Sequence, residues 1–185
     1  MNTTQQALSA RVATNAETAG AGQYLTFLLH GETYALGILS IKEIIGYDRL
    51  TEVPMMPSFI QGVINLRGRV VPVVDLLSRF GQGSTTIAKR TSIVIVETLD
   101  DDNSGNVTDI GIIVDAVNEV VDISAEAIEP APTFGARIRP EFIVGMAKRD
   151  GHFIVMLAVN KVLAINEMAA VGQSQLNPHE QHKTH

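Results

Sequence analysis

Apolar residues come in short runs along this chain, each cut off by Gly, Pro or Asp. The runs predict strands at residues 24–29, 33–39, 62–66, 70–74, 92–97, 110–114, 143–146 and 153–157. Most are rich in Val and Ile, whose branched side chains suit a pleated backbone. The pattern is that of an all-β protein. Helices are predicted only as short interruptions. In "SIKEIIG", Ser40 is placed to cap, Glu43 follows three residues later, Ile41, Ile44 and Ile45 share a helical face, and Gly46 would stop the helix. A last helix is predicted over about residues 160–170, packing Val162, Leu163 and Ile165.

The pattern also repeats. "IKEII" at Ile41 returns as "VNEVV" at Val117, 76 residues on, and "FIQGVINLRGRVVPVV" from Phe59 aligns with "FIVGMAKRDGHFIVML" from Phe142, 83 residues on. Two blocks in the same order predict duplication of one small β unit. Two copies make no solenoid, so a pair of small barrels or sandwiches is expected. A unit of roughly 60 to 70 residues is marginal by itself, so the two should bury apolar area against each other and leave a cleft between them. The expected organisation is a flexible leader over residues 1–22, units over about 23–90 and 91–168 with possible exchange of strands, and a polar tail over 169–185. His179, His182 and His185 recur every third residue in that tail, without the apolar scaffold or carboxylate support of a metal site.

Composition narrows the function classes. Of the 185 residues 45% are apolar and 18% charged, which suits a packed core, and the formal net charge of −6 speaks against a sequence-independent nucleic-acid binder or an anionic-membrane binder. The absence of Cys excludes disulfides, thiolate zinc sites and cysteine nucleophiles, and fits a reducing cytoplasm. The N-terminus lacks the basic start and apolar stretch of a secretory signal. No apolar run is long enough to span a bilayer.

Candidate chemistry is sparse. "DDDNSGNVTDIG" places Asp100, Asp102, Ser104 and Gly105 as in a calcium loop, but its twelfth position is Gly111 where a bidentate Glu is needed, so an acidic hairpin is the expected structure. His30 and His152 sit beside glycines at expected turns. Asp75 follows an apolar strand and is placed to cap a short helix, and nothing in spacing supports pairing it with Asp115 for acid–base work. Phosphate-loop and nucleophile-elbow motifs are absent, so neither catalytic residues nor a cofactor is predicted. The outstanding feature is Arg67 and Arg69 around Gly68, two residues after Asn65. Gly68 is expected to supply the positive φ of a tight reversal. The arginines there could form a solvated tip, capture an anion, or contact another protein through forked hydrogen bonds.

The segment "GVINLRGRVVPVVDLLSRFG", with "YALGILSIKEIIGYDRLTEVP" before it and "IGIIVDAVNEVVDISAEAIEPAP" after it, closely resembles the CheW family of bacterial chemotaxis coupling proteins over residues 23–168. The resemblance implies two five-stranded SH3-like β-barrels around a shared core, with short helices and a C-terminal helix. It implies a non-enzymatic adaptor in the cytoplasm, recruited to membrane-bound arrays. Its partners would be the cytoplasmic tips of methyl-accepting chemoreceptors and the regulatory domain of the histidine kinase CheA, with no nucleic acid and no membrane insertion. By the same resemblance, coupling falls on Ile41, Glu43, Gly62 and Arg67: Arg67 as polar anchor, Gly62 permitting close backbone approach. Position alone adds Val63, Ile64 and Val114 as lining of an apolar groove for the receptor's helical hairpin. Asn65, Gly68 and Arg69 would support the tip. The acidic hairpin at 100–106 and the turn "RDGH" depart from the family pattern. A twitching or other CheW-like pathway, or a small-ligand sensor using the inter-barrel cleft, are the alternative functions.

Overall fold

All eight strands expected from the apolar runs form in the computed structural model, which describes residues 20–100, 104–131 and 138–164. The strands are β1 Gly22–Leu29, β2 Glu32–Gly37, β3 Ile41–Gly46, β4 Ile60–Leu66, β5 Arg69–Asp75, β6 Ser92–Leu99, β7 Val107–Val114, β8 Ala116–Ile123, β9 Ile128–Glu129, β10 Ile143–Arg149 and β11 His152–Leu157. One-turn helices follow two of them, α1 Leu76–Arg79 after β5 and α2 Val159–Val162 after β11. The all-β fold is therefore present, as two sheets. The first runs β8-β1-β2-β11-β10-β9 and the second β3-β6-β7-β5-β4.

The repeat read from the sequence is visible in the pairing. In each copy a bulge interrupts the hairpin at its glycine, between Ile60 and Gly62 in β4–β5 and between Ile143 and Gly145 in β10–β11. In each, the backbone N–H after the hairpin donates to the carbonyl of the leading phenylalanine at 2.8 Å, Asp75 to Phe59 and Ala158 to Phe142. Strand order extends the equivalence. β3 corresponds to β8, β4–β5 to β10–β11, and β6–β7 to β1–β2, with β5–β7 and β11–β2 the parallel pairs. The second unit thus takes its last hairpin from the N-terminal end of the described chain. The sheets depart from the contiguous halves 23–90 and 91–168 by exchange of two hairpins, β1–β2 lying with β8–β11 in the first sheet and β6–β7 with β3–β5 in the second.

One expectation is overturned. "IKEIIG" is not helical but forms β3, antiparallel to β6, after a 3₁₀ turn at Ile38–Ser40. Exposure alternates strictly along it, with Lys42, Ile44 and Gly46 outward and Ile41, Glu43 and Ile45 half-buried. Ile41, Ile44 and Ile45 fit a helical face by spacing, but in the strand a bulge between Ile41 and Glu43 turns Ile41 onto the central core and Ile45 onto the second sheet's own core, and the ladder to β6 decides for the strand. The C-terminal helix is also shorter than expected. α2 ends at Val162, Val162 and Leu163 are buried, and residues 165–170 lie outside the described residues, as do the expected leader up to residue 19 and the histidines of the tail.

The central core draws on both sheets, with Phe27, Leu29, Leu36, Val94, Val96, Ile112 and Phe142 buried together. Each sheet buries a second apolar set on its other face, around Tyr24, Ala35, Val121 and Met156 in the first and Val71, Val73, Ile93 and Ile95 in the second. Burial of both faces explains why the strands read as unbroken apolar runs and not as alternation. The two helix turns meet at this core. Asp75 caps α1, its Oδ1 accepting the Leu77 N–H at 3.0 Å, and also binds the backbone and hydroxyl of Thr85 at 2.8 Å. From α1, Arg79 reaches across to α2: its Nε donates to the Val162 carbonyl at 2.8 Å. Its guanidinium lies 5.3 Å from the Phe59 ring centroid and 4.8 Å from that of Phe142, the two equivalent phenylalanines of the repeat. Arg79→Met keeps the aliphatic stem but loses the hydrogen bond and both ring contacts, and is expected to cost about 2–4 kcal/mol. Urea unfolding with an unchanged slope checks it.

Candidate functional site

The β4–β5 hairpin pairs Asn65 with Val70 and Leu66 with Arg69, leaving Arg67 and Gly68 as its two-residue turn. Both have positive φ, 53° and 81°. Gly68 supplies the positive φ expected of it, and Arg67 adds a second, because a two-residue hairpin that follows the right-handed twist of its strands needs both positions left-handed. Arg67 is thus held in a conformation unusual for a side chain with Cβ, steadied by the Asn65 Oδ1, which accepts the Gly68 N–H at 3.0 Å. Arg69 belongs to β5 and not to the turn.

The tip meets the opposite edge of its own sheet. Arg67 Nη2 donates to Glu43 Oε1 of β3 at 3.2 Å while its side chain stays 80% exposed. Beside that pair, Arg69 Nη1 lies 3.2 Å from Asp109 Oδ2 on β7. Lys42 Nζ lies 3.2 and 3.1 Å from the two Asp109 oxygens and 3.8 Å from Glu97. A depression of about 140 Å³ is lined by Lys42, Glu43, Arg67, Arg69, Val71 and Asp109, among others. β3 and β4 are the two edges of the second sheet, and a bridge between Thr51 and Val63 joins the segment after β3 to β4. The sheet curls on itself, which brings a β3 carboxylate under a β4–β5 arginine.

The structure gathers Glu43, Asn65, Arg67, Gly68 and Arg69 at this place. Gly62 is buried lower on β4, where a Cβ would stand 2.5 Å from the Thr51 carbonyl oxygen and 3.1 Å from Leu50 Cβ. The close backbone approach it permits is to its own chain. Val63 exchanges hydrogen bonds with Thr51 at 3.0 and 2.9 Å, and Ile64 packs onto the second sheet's own core. Ile41 is half-buried against the central core, in which Val114 is fully buried and offers no surface. Lys42, Glu97 and Asp109 were missed as partners of the tip. One signal pointed to Asp109: it shares a strand face with Gly111 and Ile113, where a charge demands a partner. Asp75 and Asp115 do separate work, Asp115 Oδ2 accepting the His30 N–H at 2.8 Å. Of the residues compared with a calcium loop, Asp102 lies outside the described residues; on either side β6 and β7 pair as far as Leu99 and Val107, and Asp100 Oδ1 accepts the Thr108 hydroxyl at 2.8 Å.

The CheW-like domain family matches residues 23–167. This chain belongs to the CheW family. A chemotaxis protein CheW of Klebsiella aerogenes is 36% identical to it over 155 residues, covering 84% of this chain and 89% of that one. Another, from Bacillus subtilis, is 30% identical over 148 residues, covering 80% and 90%. The crystal structure of the scaffolding protein TtCheW from Thermoanaerobacter tengcongensis superposes with a TM-score of 0.69 at 36% identity, covering 80% of this chain and 91% of that one. In this CheW-family chain the strand glycine Gly62 and the turn glycine Gly68 should respond differently to a methyl group. Gly62→Ala drives Cβ into a backbone oxygen and is expected to cost about 3 kcal/mol. Gly68→Ala meets open space and should cost only the left-handed strain of about 1–2 kcal/mol. Denaturant unfolding of the two variants gives the order.

Proposed function

We propose that this CheW-family chain is a non-enzymatic coupling scaffold of chemotaxis, joining the cytoplasmic tips of methyl-accepting chemoreceptors to the regulatory domain of the histidine kinase CheA. The observation that carries the reading is Arg67: an arginine 80% exposed, fixed by a tight turn and one ion pair to Glu43. A planar donor fork held open to solvent suits capture of a partner carboxylate. Rigidity matters because an unfixed arginine would lose rotamer entropy on docking. Ile41, Val63 and Ile64 are half-buried and supply apolar contact, while Val114 is buried in the central core and takes no part in docking. Gly62 serves by keeping β4 against Thr51, which sets where the tip stands. Among the described residues no helix is long and apolar enough to cross a membrane, so array membership would come through the receptors.

Charge reversal tests this. Arg67→Glu removes an exposed side chain from an exposed pair, so thermal unfolding should hardly change. Binding to a receptor tip or to CheA should weaken by at least about 2 kcal/mol, as for a docking hot spot. Pull-down with purified partners, read against the melting curve, decides; undiminished binding by the folded variant overturns the assignment.

A further inference from the structure

Three cations and three carboxylates crowd the hairpin tip, and their pairing is uneven. Glu43 opens onto the same depression as Arg69 and follows Lys42 in sequence, yet it pairs with Arg67. Asp109 takes the other two, Lys42 at 3.1 Å and Arg69 at 3.2 Å. The asymmetry has a physical source. Asp109 sits on β7 two residues from Gly111, whose inward face meets Ile93, Val73 and Ile95. Its side chain is 9% exposed against 28% for Glu43. A carboxylate this buried is poorly screened and must be paired, so it draws mobile cations more strongly than its exposed neighbour.

We infer that Asp109 is a positioning residue for Arg67: by holding Lys42 and Arg69 it keeps them off Glu43, leaving that carboxylate to orient the turn arginine. Without Asp109, three cations would share Glu43 and Glu97, and Arg67 would lose its fixed direction. The functional half of the inference rests on Arg67 as docking anchor. The pairing half does not.

The test uses the full chain carrying Asp109→Asn, with a second variant adding Lys42→Gln and Arg69→Gln. Order of the Arg67 Nε–H group, measured by nitrogen relaxation without any partner, is expected to fall in the single variant and return in the triple one. Receptor-tip or CheA binding should weaken about two- to fivefold in the single variant, the scale of an exposed ion pair, and recover in the triple. A residue that merely held the fold together would show no such rescue. Unchanged Arg67 order on Asp109→Asn overturns the inference, and so does a triple variant that is as disordered, or as unfolded, as the single one. Should the unaltered chain bind neither partner, the docking reading fails while the Arg67 signal still decides the role of Asp109.

Discussion

The two sheets share one apolar face, and the rest of the structure depends on that shared burial. Each unit, with its small core of its own, is marginal in size alone. Each therefore buries one face within itself and presses the other against its neighbour, with Phe27, Leu29 and Leu36 of the first sheet meeting Val94, Val96 and Ile112 of the second. The crossing of hairpins strengthens the arrangement, since β1–β2 pairs with β8 and β11 and cannot leave without opening the first sheet at two ladders. Arg79 lies where the two copies of the repeat meet, between Phe59 and Phe142. A cation is tolerable there because two ring faces and a helix carbonyl replace its water.

A core so arranged leaves the hairpin tips as rigid projections. The Arg67–Gly68 turn is two residues long, closed by a hydrogen bond from the Gly68 N–H to the Asn65 side chain, and based on strands of which β5 ends buried at Val73–Asp75. Short turns on packed strands hold a side chain more narrowly than long loops do, because fewer backbone angles are free. The cluster beneath it, Glu43 with Arg67 and Asp109 with Lys42 and Arg69, is half in solvent, so salt weakens its outer pair more than its inner one.

Much of this was legible in the sequence. Val- and Ile-rich runs between Gly, Pro and Asp clusters marked eight strands, because burial on both faces writes itself as uninterrupted apolar residues. The duplication was legible because bulge glycines and leading phenylalanines must recur where backbone paths recur, as at Gly62 and Gly145. β3 was misread because Ser40, Glu43 and Gly46 imitate helix punctuation, Ile41, Ile44 and Ile45 fall at helical spacing, and the bulge between Ile41 and Glu43 leaves no local signal. β8 carried the same pattern in its "VNEVV" and was likewise missed as a strand. At the site, Arg67 and its hairpin could be read locally. The pairing of Asp109 with residues 42 and 69 could not, since it depends on the curl of a sheet and leaves no local period.

The repeat also separates what the backbone decides from what side chains decide. The equivalent turn, Asp150–Gly151, has φ values of 51° and 79°, almost those of Arg67 and Gly68. The β1–β2 turn His30–Gly31, at 49° and 80°, makes a third tip of the same conformation, yet one of the repeat's two carries an arginine over Glu43 and the other an aspartate. Geometry alone therefore cannot single out a docking point. Charge separates the two tips, because the β3 edge places a carboxylate below one of them: the cation pairs with Glu43 and still stays 80% exposed. Fold supplies two equivalent platforms here and side chains tell them apart, so the proposed docking role rests on Arg67 over Glu43 and not on the turn itself.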